Sequence, residues 1–178
     1  MKTWRYLIPA LIFTALVAFL AIGLKRDPSY IPSPLIGKPA PSFELAAVED
    51  PSRTVRTRDL QGKTYVLNVW GTWCAGCRQE HQALLQIARS DVVPIIGLNW
   101  KDDLPLAQRW LQQLGNPYTV TAFDPEGRTG IDWGVYGAPE TFLVDANGIV
   151  QYKHIAPLTL EVWEREFLPR IRAGQPRS

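Results

Sequence analysis

The sequence contains few of the residues from which disulfide scaffolds and metal centres are built. Its 178 residues include 2 cysteines, at positions 74 and 77, and 2 histidines. Two cysteines this close together cannot form the disulfide scaffold of a small domain. Two histidines are too few for a zinc site of the His-rich kind. The charges nearly balance, with 19 Lys and Arg against 17 Asp and Glu, and Lys and Arg form no long run. We therefore expect no nucleic-acid partner.

One long uncharged run stands at the N-terminus, from Tyr6 to Leu24, and it holds 19 residues. A helix that crosses a bilayer core of about 30 Å needs about 20 apolar residues. We predict a transmembrane anchor at 6–24 behind a short tail at 1–5. Two basic residues stand on each side of the run, so charge does not fix its orientation. A cleaved signal peptide, with Ala21-Ile22-Gly23 as the cleavage site, and a buried core helix are the alternatives.

A proline-rich stretch follows at 25–41, and we predict an extended linker there. Residues 42–174 alternate strand-like and helical patterns and are predicted to form the folded domain. Nearly continuous apolar runs at 64–70 and 92–100 predict buried strands. The Asn147-Gly148 pair between two further apolar runs predicts a hairpin. Together these elements predict an α/β domain with a mixed central sheet flanked by helices.

The two cysteines form a Cys-x-x-Cys motif between the strand at 64–70 and a predicted helix. Cys74 would lie at the helix N-terminus, where unpaired amide groups and the helix dipole stabilise a thiolate. We predict Cys74 as the attacking sulfur and Cys77, one turn further on, as the resolving thiol. A purely structural disulfide is the weaker interpretation, because so short a loop contributes only about 2 kcal/mol.

The same thiols also permit a metal-binding interpretation. Cys74, Cys77 and His81 form a Cys-x2-Cys-x3-His pattern, and soft thiolates suit Cu(I). A structural zinc site needs four ligands, and the sequence offers no obvious fourth. Arg78 follows the second cysteine where a c-type haem attachment site requires histidine, which excludes that site. A copper or zinc carrier is therefore the less favoured alternative.

Pro139 directly precedes a predicted strand that begins at 141. A proline there is unremarkable by itself. In a Cys-x-x-Cys protein, however, a cis-proline beside the disulfide leaves the preceding backbone, here Ala138, free to pair with an extended peptide. Trp73, next to the attacking thiol, is predicted to shield the site and to contact partners. Three other tryptophans are predicted in the core: Trp70, Trp100 and Trp110.

Five segments carry a resemblance to a known family. They read NVWGTWC (68–74), CRQEHQ (77–82), NWKDD (99–103), LGNPY (114–118) and GVYGAPETF (134–142). Together they resemble the DsbE (CcmG) thiol:disulfide interchange proteins of cytochrome c biogenesis, which are thioredoxin-like. The resemblance runs from about residue 35 to residue 168 and extends to the plan of an anchor followed by a domain.

The resemblance implies a thioredoxin-like fold behind one transmembrane helix, in a single-pass protein of the bacterial inner membrane with its domain in the periplasm. It implies a protein-disulfide oxidoreductase working in the reducing direction, without a cofactor. The implied target is the CxxCH disulfide of apocytochrome c or of an assembly component. A transmembrane thiol reductant of the DsbD or CcdA type would return the oxidised protein to its reduced form. A general periplasmic thioredoxin-like oxidoreductase is the alternative.

The resemblance also assigns roles to individual residues. Cys74 is the nucleophile, Cys77 the resolving thiol and Pro139 the cis-proline. Glu140 and Glu80 belong to an acidic environment, and either carboxylate could take the proton of Cys77.

The chain departs from the family pattern at two places near the motif. Ala75-Gly76 stands where Pro followed by Thr or Ser is common, and Gly71 stands where Ala is usual. Both changes alter the surroundings of the Cys74 sulfur, so the sequence leaves the redox potential open.

Overall fold

The computed structural model describes residues 4–23 and 33–174. The chain divides into two units, Met1–Ile31 and Pro32–Ser178. In the first unit, helix α1 spans Trp4–Gly23 and covers most of the predicted anchor. No helix within the described ranges combines the length and the apolar character that crossing a membrane requires. The start of the predicted tail (1–3), the end of the predicted anchor (24) and the first part of the predicted linker (25–32) lie outside the described residues.

The second unit is built on a five-stranded mixed sheet in the order β5-β4-β3-β6-β7. The strands are β3 Tyr65–Trp70, β4 Ile95–Trp100, β5 Val120–Asp124, β6 Glu140–Val144 and β7 Val150–Ile155. β3, β4 and β5 run parallel, whereas β6 and β7 pair antiparallel beside β3. β3 and β4 are buried along their whole length, which confirms the two predicted buried strands. The predicted mixed sheet and the hairpin around Asn147-Gly148 are confirmed as well.

A second, smaller sheet consists of β1, Glu44–Ala46, and β2, Thr54–Arg56, which pair antiparallel. A single 3-10 turn, Thr57–Leu60, follows β2. The segment at 41–48 predicts a short edge strand, which corresponds to β1. Nothing in the sequence predicts β2, because its three residues of mixed polarity carry no usable periodicity. The described part of the predicted linker forms backbone hydrogen bonds with the β6–β7 hairpin. The Gly37 amide donates to the Val150 carbonyl and the Ala40 amide to the Gly148 carbonyl, at 2.8 Å each.

The helices of the second unit fill the connections between strands and close the chain. They are α2 Ala75–Arg89, α3 Leu104–Leu114, α4 Arg128–Asp132, α5 Leu160–Val162 and α6 Leu168–Gly174, with one π-helical turn at Trp163–Phe167. The apolar spacing of residues 159–172 predicts one closing amphipathic helix, open to a bend at Pro169, in place of α5, the π turn and α6. The wide turn ends at Phe167, two residues before Pro169, which has no amide hydrogen to give to a regular helix.

The two faces of the large sheet carry different side chains, because neighbouring residues of a strand point to opposite sides. The α2 face bears Val66 and Trp70 of β3 and packs against α2, α3 and the closing helices. The α4 face bears Tyr65 and Leu67 and packs against the small sheet and the segment around α4.

The strand register sorts the polar residues of β6 and β7 in the same way. Thr141 is the partner of Asn68 and lies on the α2 face. Phe142 and its partner Lys153 lie on the α4 face, and Glu140, two residues before Phe142, lies there too. This sorting places Glu140 on the face of the sheet opposite Glu80, the other glutamate that the sequence offers as a proton acceptor.

Candidate active site

The two cysteines lie where β3 passes into α2, and in the structure they form a disulfide with a Cα–Cα distance of 5.3 Å. Cys74 has an extended backbone and is the N-cap of α2. Its sulfur accepts a hydrogen bond from the Cys77 amide at 3.0 Å. The side chains are nearly buried, with residue exposures of 5% and 3%. A sulfur in this position has an amide donor and the positive end of a helix dipole to stabilise negative charge.

The Asp102 side chain holds the loop that precedes Cys74 in place. The Thr72 amide and hydroxyl each donate to one oxygen of the Asp102 carboxylate, at 2.6 Å in both cases. Asn99 donates to the same carboxylate at 2.9 Å. The neighbouring Asp103 instead caps α3 by accepting from the Leu106 amide at 3.1 Å. Sequence reasoning missed this anchoring role of Asp102, although the NWKDD segment containing it was among the family-like segments.

Trp73 lies beside the thiols and is 53% exposed, in agreement with its predicted place at the surface. Its indole nitrogen donates to the Trp100 carbonyl at 3.2 Å. The indole lies across Gly71, where an added Cβ would be 2.5 Å from the indole nitrogen. Gly71, one of the two departures from the family pattern, therefore leaves the room that this indole occupies. The three tryptophans predicted in the core are buried.

The Ala138-Pro139 peptide bond is cis, as the family resemblance implied. Gly76, in the first turn of α2, packs directly against Pro139: an added Cβ would be 2.8 Å from Pro139 Cδ and 3.3 Å from Pro157 Cγ. The second departure from the family pattern thus lies at the contact between the Cys-x-x-Cys turn and the cis-proline. The structure brings Cys74, Cys77 and Pro139 into one site.

Glu80 lies on α2, one turn after Cys77, and is 1% exposed. One carboxylate oxygen accepts from Asn68 Nδ2 at 2.9 Å, and the other accepts from the Leu158 amide at 2.7 Å. Burial raises the pKa of Glu80 to about 7, and the two hydrogen bonds oppose that rise. A carboxyl group with this pKa can take and return a proton near neutral pH.

Glu140 lies on the opposite face of the sheet and is 0% exposed. It forms an ion pair with Lys153 at 2.9 Å and accepts from the Tyr136 amide at 2.9 Å. Lys153 also donates to the Gly134 carbonyl at 2.7 Å, and its ammonium lies 4.4 Å from the centre of the Tyr136 ring. Glu140 and Lys153 therefore hold the backbone of the loop that leads to Pro139.

Both ring nitrogens of His81 have partners. Nε2 donates to the Gly115 carbonyl at 3.0 Å, and Nδ1 accepts from Trp110 Nε1 at 3.4 Å. Burial lowers the pKa of His81, which favours the neutral ring that this pattern requires. No group of three or more potential metal ligands occurs in the described part of the chain. The alternative Cys74-Cys77-His81 metal site thus lacks a free histidine nitrogen.

Comparison with known proteins agrees with this geometry. The sequence pattern of the Redoxin family matches residues 35–166. The chain is 51% identical over 175 residues to the thiol:disulfide interchange protein DsbE of Allochromatium vinosum, with 97% of each chain covered. It is 47% identical over 175 residues to the DsbE protein of Escherichia coli strain K12, covering 95% of this chain and 94% of the other.

Among solved structures, the chain is similar to a crystal structure described as thiol:disulfide interchange protein DsbE from Chlorobium tepidum. The TM-score is 0.64 and the identity 28%, over 78% of this chain and 95% of the other. The predicted thioredoxin-like fold is thereby confirmed for the second unit.

Proposed function

Because this chain belongs to the Redoxin family, among the DsbE thiol:disulfide interchange proteins, we propose that it reduces the CxxCH disulfide of apocytochrome c, or of an assembly partner, during c-type cytochrome maturation. Its relatives indicate protein-disulfide oxidoreductase activity. The observation that carries the proposal is the Cys74 sulfur, which caps α2 while Gly76 in the same turn packs on cis-Pro139. The family-like segments support the choice of substrate.

The reaction begins with the reduced protein. The Cys74 thiolate attacks one sulfur of the substrate disulfide, and the second substrate sulfur leaves as a thiolate. The substrate strand lies beside Ala138 and Pro139 in this mixed disulfide. The Cys77 thiolate then attacks Cys74, the bond to the substrate breaks, and the Cys74–Cys77 disulfide seen in the structure forms. Two electrons pass from the protein to the substrate, which leaves with two thiols.

The second attack requires Cys77 to lose its proton. Glu80 is the better placed acceptor, because side chains three residues apart on a helix are neighbours, about 5–6 Å between Cβ atoms. None of the ion pairs found in the described residues includes Glu80, and its pKa of about 7 suits proton exchange. Glu140 lies on the other face of the sheet and is paired with Lys153. We therefore assign the proton to Glu80 and the support of the loop to Glu140.

The proposal includes the place where the protein works. The uncharged run at 6–24 supports an anchor in the bacterial inner membrane, with the catalytic domain in the periplasm. A transmembrane thiol reductant of the DsbD or CcdA type would return the disulfide to the dithiol. Alkaline extraction of membranes tests the anchor. Full-length chain in the pellet supports it, whereas shortened chain in the soluble periplasmic fraction supports the signal peptide instead.

A trapping experiment tests the substrate. Full-length Cys77→Ser, expressed in a cytochrome-producing bacterium, cannot resolve the mixed disulfide on Cys74. After free thiols are blocked, apocytochrome c or a cytochrome assembly component should be found linked to Cys74. The matched control is the Cys74→Ser/Cys77→Ser double variant, which should carry no adduct. A broad mixture of secreted proteins would instead identify a general periplasmic oxidoreductase.

A further inference from the structure

The environment of Glu80 contains a buried amide whose polar atoms are all engaged. Asn68 lies in the middle of β3 and is fully buried. Its Nδ2 donates to Glu80 at 2.9 Å and to the Thr141 hydroxyl at 3.1 Å. Its Oδ1 accepts from the Tyr118 hydroxyl at 2.8 Å. Asn68 therefore connects the phenol of Tyr118, two residues before β5, with the carboxylate on α2.

The chemistry of the partners fixes the direction of these hydrogen bonds. An ionised carboxylate only accepts, so the amide must present its NH2 group to Glu80 and its oxygen to Tyr118. Tyr118 is then a donor. Burial and the nearby Glu80 raise the pKa of Tyr118 well above its usual value, so it stays a neutral phenol. Its ring stacks on Trp70 with 5.6 Å between centroids, which holds the hydroxyl in place.

We propose that Asn68 and Tyr118 are positioning residues that hold the Glu80 carboxylate ready to take the proton of Cys77. This inference rests on the thiol exchange mechanism given above and extends it to two residues outside the Cys-x-x-Cys turn. Burial favours the neutral acid, and a donor aimed at the carboxylate favours the anion. Hydrogen bonds in a chain also polarise one another, so the Tyr118 hydroxyl strengthens what Asn68 donates.

The proton transfer is balanced within the site. The Cys77 thiol gives its proton to the Glu80 carboxylate and becomes a thiolate, while Glu80 becomes a neutral acid. The thiolate attacks Cys74, and the departing substrate sulfur carries the negative charge away. Glu80 then returns its proton to that sulfur or to solvent. Asn68 and Tyr118 exchange no proton with the substrate, which is why they are positioning residues.

Within the described residues, few other titratable groups face Glu80, and Glu49 also raises the pKa of Tyr118. Cys77 and His81 share its helix, but the His81 ring bonds to Gly115 and Trp110. From the sheet, Tyr118 faces it through Asn68, and His154 lies on the same face as the strand partner of Thr141. Glu140 and Lys153 lie on the opposite face. A pH dependence that responds to both Glu80 and Asn68 therefore reports this chain of hydrogen bonds.

The test follows the resolving step in the isolated full-length protein, without any cytochrome. Reduced protein is mixed with a symmetric aryl disulfide whose thiolate product absorbs visible light. A first burst reports the attack by Cys74, and a second burst reports the attack by Cys77. The rate of the second burst is measured from about pH 5 to about pH 9. In the unsubstituted protein it should rise through about pH 7, the pKa of Glu80.

Asn68→Ala should move that rise to higher pH by about one unit, because a hydrogen bond to a charged group is lost. Tyr118→Phe should move it in the same direction by less, and the double variant should match Asn68→Ala alone. The matched control is Tyr65→Phe, a buried tyrosine on the α4 face, which should leave the profile in place. If Asn68→Ala does not fold, the shift in Tyr118→Phe decides.

The outcomes separate this inference from the mechanism on which it rests. Glu80→Gln should abolish the rise near neutral pH. If it does so while Asn68→Ala and Tyr118→Phe leave the profile unmoved, the positioning role is wrong and the role of Glu80 stands. If Glu80→Gln leaves the profile unmoved, the proton role of Glu80 and the positioning role both fail. Loss of rate at every pH without a shift would show a merely structural role for Asn68.

Discussion

The two faces of the sheet each bury one glutamate, and the two glutamates do different things. Glu80 on the α2 face and Glu140 on the α4 face are 1% and 0% exposed. Glu80 accepts from an amide side chain and a backbone amide, which oppose the effect of burial but leave its pKa raised to about 7. Glu140 meets the ammonium of Lys153. Burial alone therefore does not determine the role of a carboxylate. The groups that contact it determine that role.

The same comparison explains how one fold combines a rigid loop with a reactive turn. On the α4 face, Lys153 and Glu140 bind the backbone of Gly134 and Tyr136, which leads the chain to Pro139. On the α2 face, the pKa of about 7 would let Glu80 exchange a proton near neutral pH, as the proposed mechanism requires. Substitutions that remove Glu80, Glu140 or their contacts test whether the two faces differ in this way.

The largest expected effect is on the α4 face. Lys153→Met leaves the Glu140 carboxylate buried without its cation, and breaking a buried pair costs about 3–5 kcal/mol of unfolding free energy. Urea denaturation measures this loss. The Lys153→Met/Glu140→Leu double variant removes both charges and should recover most of the stability. An equally unstable double variant would show that shape rather than charge makes this contact matter.

On the α2 face, the effect of Glu80→Gln should depend on pH. Folding raises the pKa of Glu80 from its ordinary 4.5 to about 7. A neutral Glu80 is thus favoured in the folded state, and stability present below about pH 4.5 is lost as pH rises through about 7. Glu80→Gln should remove that loss, so the variant gains up to about 3 kcal/mol relative to the unsubstituted protein between these limits. Denaturation midpoints measured at both limits test it, and a pH-independent difference would contradict it.

A smaller effect is expected where the reactive turn meets the supported loop. Gly76→Ala places a methyl group 2.8 Å from Pro139 Cδ, and overpacking of this kind costs about 1–3 kcal/mol. The reaction with a disulfide peptide should slow as well. Gly137→Ala is the matched control, since nothing lies within 4 Å of its added Cβ. Stability and rate measured on both variants check this, and similar losses in both would refute the contact.

The smallest expected difference compares two buried phenols. Tyr118→Phe removes a hydroxyl that donates to Asn68 and should cost about 1 kcal/mol. Tyr65 lies on the α4 face, and its hydroxyl has no hydrogen-bond partner within the described structure. Tyr65→Phe should therefore be neutral or slightly stabilising. Thermal unfolding of the two variants distinguishes them, and equal losses would mean that the hydroxyl of Tyr118 adds nothing.

Local patterns predicted much of this architecture. The apolar runs of β3 and β4, the hairpin and the place of Cys74 at a helix start each depend on a few consecutive residues. The cis bond at Pro139 was implied by the family resemblance and not by a local pattern. The local features need no knowledge of which distant segments meet.

The features that escaped prediction depend on pairing between distant segments. Whether Glu140 meets Lys153 is decided by the register of β6 against β7, and a slip of one residue would reverse the faces. The contact of Asp102 with Thr72 spans 30 residues and requires the parallel pairing of β3 and β4. The two carboxylates were equal candidates in the sequence for the same reason. Alternation along one strand shows that two faces exist without showing which elements cover them.

The hydrogen bond from the Cys77 amide to the Cys74 sulfur has one more consequence. In the proposed mechanism the group that caps α2 is also the group that reacts, so the cap is a disulfide sulfur in one half of the cycle and a thiolate in the other. The Cys77 amide proton should therefore change its NMR chemical shift and its rate of exchange with deuterium each time the protein turns over. That single resonance gives a label-free readout of redox state from within the backbone.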